Sequence, residues 1–284
     1  MNSIVYVNGE FVPQQEAKVS VFDRGFLFGD GVYEVIPVIH SRLVESAHAV
    51  MRLERSLAEI GMAWPCPKDE YIPILEDLRA RNGITEGSIY MQVTRGVAER
   101  NFTFPANTPT SFIAFASSRN IIDNPLAQSG VAVVSVPDLR WKRRDIKSIN
   151  LLAQCLAKQE AQSRGAFEAW MHEDGFVTEG SSSSAFIVKN NQIITRALSR
   201  AILPGIRRKV IIALAQEHGI ALQERPFSLE EAANADEAFL SSATTVVLPV
   251  ISIDGKAIAA GKPGPVAQLM RRLYVDLLRQ EANS

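Results

Sequence analysis

Cysteine is scarce in this chain: Cys66 and Cys155 are the only two among 284 residues. That is too few for a disulfide framework or a zinc cluster, so the expectation is a protein of the reducing cytoplasm with no metal site. Cys155 is expected to pack within a helix. Long apolar runs are missing too, and no stretch approaches membrane-spanning length. The opening residues, Met1 to Phe11, alternate like a strand and lack a basic region followed by an apolar run, so no signal peptide is expected. Excess charge is absent: 30 basic residues against 31 acidic ones leave nothing to draw the chain onto nucleic acid or an anionic membrane. The local clusters Lys142-Arg143-Arg144 and Arg207-Arg208-Lys209 suit small anions better. There is no internal repeat and no low-complexity run, and Ser181 to Ser184 is too short to be a linker.

What the sequence does have is apolar content, 46% against 21% charged, enough at this length for a large core divided between two domains. Turn signals organise it. Asn8-Gly9 between Ile4-Val5-Tyr6-Val7 and Glu10-Phe11-Val12 predicts a hairpin, because both turn positions need positive φ. Asp174-Gly175, Asn190-Asn191 and Asp254-Gly255 predict three more, making the second half rich in antiparallel sheet. Ala47, Val50, Leu53, Leu57 and Ile60 recur at helical spacing before Gly61, predicting a helix from about Ser46 to Ile60 that carries Arg52. Further helices are predicted over Leu151 to Arg164, Ile206 to His218 and Pro265 to Gln280, with a short one opened by the capping box Ser228-Leu229-Glu230-Glu231. The polar stretch Asn120 to Gly130, with Asp123-Asn124-Pro125, is the candidate boundary. The expected organisation is α+β: a smaller N-terminal domain over 1–120, a linker over 121–130 and a larger cofactor-binding domain over 131–284.

Two segments carry chemistry. Lys147 stands in Arg143-Arg144-Asp145-Ile146-Lys147-Ser148-Ile149-Asn150, and Ile146, Ile149, Leu151 and Leu152 would draw its ammonium toward the interior, where desolvation favours the neutral amine. Glu179 follows in Thr178-Glu179-Gly180-Ser181-Ser182-Ser183. An amine able to hold an aldehyde as a Schiff base, with a carboxylate able to keep a ring nitrogen protonated, reads as a pyridoxal-phosphate site. Such a site needs a phosphate cradle. Leu203-Pro204-Gly205-Ile206-Arg207 opens a helix whose first N–H groups point outward at the positive end of the dipole. Ser241-Ser242-Ala243-Thr244-Thr245, after the strand Glu237-Ala238-Phe239-Leu240, offers more donors, and Arg52 a full charge. Taken singly, each of these is ordinary: a surface lysine, a turn before a helix, a polar loop, a solvated arginine.

Together they resemble the fold-type-IV, or class IV, pyridoxal-phosphate aminotransferases, most closely their bacterial D-amino-acid branch. The resemblance spans essentially the whole chain. It runs from Asp23-Arg24-Gly25 and Phe28-Gly29-Asp30-Gly31-Val32-Tyr33-Glu34 through Tyr90-Met91-Gln92-Val93-Thr94-Arg95-Gly96 to the Lys147 and Glu179 segments, Gly205-Ile206 and Ser241-Ser242. It implies a two-domain α+β fold with antiparallel-rich sheets and packed helices, a homodimer, and transamination between a D-amino acid and a 2-oxo acid such as 2-oxoglutarate. It also implies that Lys147 binds the cofactor and moves the proton at Cα, and that Glu179 partners the pyridine nitrogen. Arg52, Ser182, Gly205, Ile206, Arg207, Ser242, Ala243 and Thr244 would complete the cofactor site. Tyr33 and Arg100 would lie near the substrate carboxylate, Arg100 reaching in from the other subunit.

The chain departs from the family pattern at several positions. Ser184 stands where asparagine is usual and Phe102 where a carboxylate-binding histidine is expected; phenylalanine cannot donate a hydrogen bond. His48 is four places before Arg52 instead of three, and Arg207 replaces a common threonine. These changes bear on substrate choice. A branched-chain L-amino-acid aminotransferase, an R-selective amine transaminase and aminodeoxychorismate lyase share the same lysine. The lyase would turn over without a keto-acid co-substrate. A non-catalytic pyridoxal-phosphate carrier would bind cofactor and show no half-reaction.

Overall fold

A computed structural model describes residues 3–283, and the chain divides into two compact units. The first comprises the chain up to Asn120, the segment Ile146–Asn150 and the chain from Arg279 onward; the second comprises Ile121–Asp145 and Leu151–Leu278. The stretch 121–130, expected as a linker, is part of the second unit and includes a helical turn. The lysine-bearing segment, expected in the second domain, belongs to the first unit.

The first unit opens with the hairpin β1 (Ile4–Val7) and β2 (Glu10–Pro13), followed by α1 (Arg24–Phe28), β3 (Gly31–Ile39), β4 (Arg42–Leu43), α2 (Ser46–Glu59), α3 (Lys68–Arg81), β5 (Gly87–Thr94) and β6 (Ser111–Ser118). The strands form a six-stranded sheet in the order β2-β1-β6-β5-β3-β4, antiparallel throughout. Helix α2 lies against β3 and buries Leu53 and Leu57 of the expected stripe together with Ala49 and Ser56, whereas Ala47 is exposed and Val50 and Ile60 are only partly buried. Helix α3 is not expected from the sequence, because Pro73 inside it argues for a break. It forms around the buried face of Tyr71, Leu75 and Leu78, with Asp69 and Glu70 in its first turn and Arg79 and Arg81 in its last.

The second unit contains α4 (Leu126–Ser129), β7 (Val131–Pro137), α5 (Leu152–Ser163), β8 (Glu168–Glu173), β9 (Phe176–Gly180), β10 (Ser184–Lys189), β11 (Gln192–Thr195), α6 (Ile206–Glu217), β12 (Leu222–Glu224), α7 (Leu229–Ala233), β13 (Glu237–Ser242), β14 (Val246–Ile253) and β15 (Lys256–Ala257). Most of α8 (Pro265–Asn283) also belongs to it. Its nine-stranded sheet runs β12-β11-β10-β13-β14-β7-β8-β9, with β15 on β14. The sheet is mixed, more so than the hairpins suggest: β7 is parallel to both β8 and β14, and β11 to β12. Parallel neighbours need a crossover, and the β7-to-β8 connection carries both the Lys147 segment and α5. One face of the sheet packs Trp170, Phe227, Leu240 and Leu248 into a core, while α5 covers Val134, Val136 and Met171 with Ala157 and Ala161.

All four expected hairpin turns form with positive φ at both central residues: Asn8 at 50° and Gly9 at 104°, Asp174 at 50° and Gly175 at 79°, Asn190 at 49° and Asn191 at 58°, Asp254 at 49° and Gly255 at 77°. The capping box at Ser228 and Glu231 is present. Cys155 lies in α5 as expected but is exposed, because that helix turns its alanines inward. Leu152 is 75% exposed for the same reason, so it does not help draw Lys147 inward.

Candidate active site

The Lys147 segment behaves as an extra strand of the first unit. The Tyr33 N–H donates to the Lys147 carbonyl at 3.0 Å, the Ile149 N–H donates to Gly31 at 3.1 Å, and Val32 and Ser148 form an isolated bridge. Gly31 makes this approach possible: a Cβ there would stand 2.7 Å from the Val93 carbonyl oxygen and 2.8 Å from Ile149 Cδ1. Ile146 anchors the segment by burial. The side chain of Lys147 then lies over Tyr33, Nζ 4.0 Å from the ring centroid. Tyr33 stacks on Tyr90 at 5.5 Å, and Tyr90 on Phe115 at 4.7 Å. Burial, with the nearby Tyr33, raises the Tyr90 phenol and keeps it a neutral donor to Gln92 Oε1 at 3.0 Å.

Arg52 sits on α2, where its guanidinium donates from Nε and Nη2 to the two oxygens of Glu34, both at 2.8 Å. The Glu34 side chain is 0% exposed and that of Arg52 11%, so this is a desolvated, two-point pair that fixes the plane of the arginine. Glu34 stands inside a sequence motif, yet the motif alone assigns it no role. Alternation on β3 is the available signal, since Glu34 falls on the face where Val32, Ile36 and Val38 are buried.

Glu179 is the penultimate residue of β9 in the second unit. Its Oε1 accepts from Arg140 Nη1 at 2.5 Å and from the Leu203 N–H at 3.1 Å; its Oε2 lies 3.3 Å from the same Leu203 N–H. Burial raises the Glu179 carboxyl above the ordinary range, and Arg140 and the Leu203 amide only partly oppose it. Arg140 also grips Asp138 with Nε at 2.9 Å and Nη2 at 2.7 Å. Burial opposes ionisation of Asp138, but Arg140, Thr178 and Arg144 overcome it and hold that carboxyl below its usual value. Neither Arg140 nor Asp138 is singled out by the sequence motifs; both lie just past β7, in the charged stretch Asp138-Leu139-Arg140-Trp141-Lys142-Arg143-Arg144. The serines after Glu179 are held by Glu168, which accepts from Ser182 at 2.8 Å and Ser183 at 3.2 Å and also bonds the Ser181 hydroxyl.

The candidate phosphate cradle is also in the second unit. Gly205 is the N-cap of α6, leaving the N–H groups of Ile206 and Arg207 in the unpaired first turn. Space is tight beneath it, since a Cβ on Gly205 would meet Ser184 Oγ at 2.7 Å. Arg207 turns its side chain into the protein, donating to Tyr274 Oη at 3.1 Å and to the Ala243 carbonyl at 3.2 Å. It therefore ties the loop carrying Ser242, Ala243 and Thr244 to the start of α6. The loop is closed by a Ser242–Thr245 hydroxyl contact of 2.9 Å and by Arg271, which donates to the Thr245 and Val247 carbonyls. Val246 leaves it at φ 59°, a costly conformation for a β-branched residue and one that accumulates at functional loops.

Arg100 is exposed, its guanidinium 5.4 Å from the Phe28 ring and 5.5 Å from the Phe102 ring. Phe102, 78% exposed, packs on Phe28 at 5.4 Å. The loop is pinned from below: Arg24 and Arg95 share Asp30 Oδ2 at 2.7 and 2.8 Å, Arg24 donates to the Asn101 carbonyl, and Arg95 lies 3.6 Å over Phe104. The site residues thus fall into two sets. Tyr33, Arg52, Arg100 and Lys147 belong to the first unit; Glu179, Ser182, Gly205 to Arg207 and Ser242 to Thr244 belong to the second. Among the described residues no helix is long and apolar enough to cross a membrane, and no group of three or more His, Cys, Asp and Glu is placed to hold a metal.

Comparison with known proteins gives a consistent picture. The sequence profile of the family described as amino-transferase class IV matches residues 31–253. The D-alanine aminotransferase of Staphylococcus aureus (strain N315) is 42% identical over 269 residues, 94% of this chain and 95% of that protein. The D-alanine aminotransferase of Listeria monocytogenes serotype 4b (strain F2365) is 40% identical over 279 residues, 97% of this chain and 96% of that one. Among solved structures, the branched-chain amino acid aminotransferase of Escherichia coli superposes with a TM-score of 0.87 at 27% identity, covering 99% of this chain and 96% of its own. A second branched-chain amino acid aminotransferase, solved with pyridoxamine 5'-phosphate, gives a TM-score of 0.90 at 26% identity over 99% of this chain and 95% of its own.

Proposed function

The chain belongs to the class IV aminotransferases, and from that premise we propose that it is a pyridoxal 5'-phosphate enzyme exchanging the amino group of a D-amino acid with a 2-oxo acid such as 2-oxoglutarate. The observation that carries the substrate class is the 42% identity to a D-alanine aminotransferase, sustained over 94% of the chain.

The residues present suit the cofactor. An amine lies beside an aromatic ring at Lys147, a buried carboxylate keeps one oxygen lightly bonded at Glu179, and a helix N-terminus without a Cβ at its cap accompanies a hydroxyl-bearing loop. When bound, pyridoxal phosphate supplies the aldehyde that takes up the amino group and a ring that accepts the electrons released at Cα. Lys147 Nζ would hold the cofactor through that aldehyde and would be the base that moves the proton at the substrate's Cα. Tyr33 positions Nζ through its ring face. Glu179 Oε2 would partner the ring nitrogen and keep it protonated. The N–H groups of Ile206 and Arg207, with Ser242, Ala243 and Thr244, bind the phosphate, and Arg52 supplies charge in a plane set by Glu34. Ser182, held by Glu168, keeps the segment after Glu179 in register.

Substrate carboxylate recognition is assigned to Tyr33 and Arg100, with Arg100 delivered by the second copy of a homodimer. Exposed Phe26, Phe102 and Phe104, at 74%, 78% and 62%, are apolar surface suited to such an interface. The protein is assigned to the cytoplasm, acting on small molecules. A second reading, transamination of branched-chain L-amino acids, is favoured by the structural neighbours. The test adds D-alanine, L-leucine and R-phenylethylamine separately to the cofactor-loaded protein and follows the cofactor's visible absorption. Bleaching by D-alanine alone is expected; bleaching by L-leucine alone would replace the first reading with the second.

A further inference from the structure

Behind Glu179 a file of charged side chains runs through the second unit. From its outer end it reads Glu173, Arg144, Asp138, Arg140, Glu179, joined at 2.6, 3.4, 2.7 and 2.5 Å. The signs alternate. Glu173 is 30% exposed and also bonds Lys142, whereas the four inner side chains are at most 7% exposed. The file ends unevenly. Glu179 Oε1 carries a full guanidinium charge and a backbone N–H; among the described residues, Oε2 has only the Leu203 N–H at 3.3 Å. A carboxylate accepts on both oxygens, so Oε2 is the one with capacity left for a strong donor.

We infer that Arg140 is a positioning residue: it keeps Glu179 ionised with Oε2 presented to the cofactor's ring nitrogen, so that the proton they share rests on nitrogen and not on the carboxylate. This rests on the pyridoxal phosphate reading above. A carboxylate and a pyridine in contact hold one proton between them, and a neighbouring positive charge decides where it sits. An arginine bonded to the carboxylate lowers that group's proton affinity more than the affinity of the more distant nitrogen. Asp138 makes the arrangement rigid. It takes Nε and Nη2 of the arginine fork, leaving Nη1 aimed at Glu179, and is itself fixed by Thr178 Oγ1 at 2.6 Å and by Arg144. Burial works against this arrangement, because it favours the protonated carboxyl. Without Arg140 the proton moves to Glu179, the ring becomes a neutral pyridine, and its capacity to take up electrons from Cα falls.

The experiment loads the full chain with pyridoxal phosphate isotopically labelled at the ring nitrogen and reads that nitrogen by NMR at neutral pH. The parent protein should give a pyridinium signal, Arg140→Gln a neutral pyridine signal, and Arg140→Lys, which keeps the charge, a pyridinium signal again. A pyridinium signal in Arg140→Gln would overturn the inference and leave the cofactor reading standing. A neutral pyridine in the parent protein would overturn the assignment of Glu179 itself. If Arg140→Gln does not fold, Arg140→Lys decides: a protonated nitrogen supports the inference and a neutral one overturns it.

Discussion

Replacing Glu34 by glutamine tests how the proposed phosphate arginine is held. The substitution keeps the shape and one acceptor oxygen but removes a charge 2.8 Å from a guanidinium that is only 11% exposed. At an effective dielectric of about 20 the Coulomb attraction lost is roughly 4 kcal/mol for charges about 4 Å apart. Breaking one side of a buried pair costs about 3–5 kcal/mol because the remaining charge stays desolvated. The slight exposure of Arg52 and the oxygen that glutamine retains put the expected loss near the lower end, about 3 kcal/mol. For a chain of this size each kcal/mol lowers the melting temperature by roughly 2–4 °C, so calorimetry of the cofactor-free protein should show a fall of about 6–12 °C. Arg52→Ala alone should cost a similar amount. The double variant should lose much less than the sum, since each single variant already forfeits the same interaction. If Glu34→Gln melts within a degree or two of the parent, or if the two losses simply add, the pair is not the unit described here.

Lys147→Ala should abolish the visible band of the bound cofactor and nearly all turnover; normal rates in that variant would remove the lysine from the mechanism. Arg100→Ala should raise KM for D-alanine and 2-oxoglutarate roughly ten- to a hundred-fold, the worth of a charge-assisted hydrogen bond of about 1.5–3 kcal/mol, while sparing R-phenylethylamine. Equal effects on both kinds of substrate would refute the carboxylate assignment. Glu173 is held down to about 2 by its hydrogen bond to Arg144. Its pairing therefore stabilises the fold fully above the ordinary glutamate value and is lost as pH falls toward 2, so Arg144→Gln should move the acid unfolding midpoint upward. Gly264→Ala would place a Cβ within 2.0 Å of the Glu237 carboxyl carbon, displacing the carboxylate that accepts from Val266 at 3.0 Å and Ala267 at 2.9 Å at the start of α8. A loss of about 1–3 kcal/mol is expected from the damaged cap and the clash, and an unchanged melting curve would contradict the packing.

Much of the fold is legible because local chemistry decides it. The four hairpins follow from residues that tolerate positive φ, and α2, α5, α6 and α8 from apolar spacing bounded by glycine or proline. Helix α3 escapes such reading because its apolar face is short and Pro73 sits inside it; packing of Tyr71, Leu75 and Leu78 outweighs the missing N–H. The parallel pairings of β7 are equally invisible, since a strand's partners are set by the crossover and not by its own residues. For the site, the residues that would touch cofactor carry recognisable motifs. Their supports do not. Glu34, Asp138, Arg140 and Glu168 act through pairings 18, 40, 39 and 13 to 15 residues away along the chain, and no spacing rule links them.

The placement of Ile146–Asn150 sets the order of the chain against the order of the structure. The backbone has already completed the six-stranded sheet by Ser118 and entered the second unit before it returns, for these residues alone, to hydrogen-bond along β3. A gene cut after Asn120 would encode every strand of that sheet and still omit the lysine that lies over Tyr33. The complementary fragment would carry the lysine without the strand that orients it. Pieces of this protein exchanged at the most natural boundary would each look whole in outline, and each would lack half of the amine's setting.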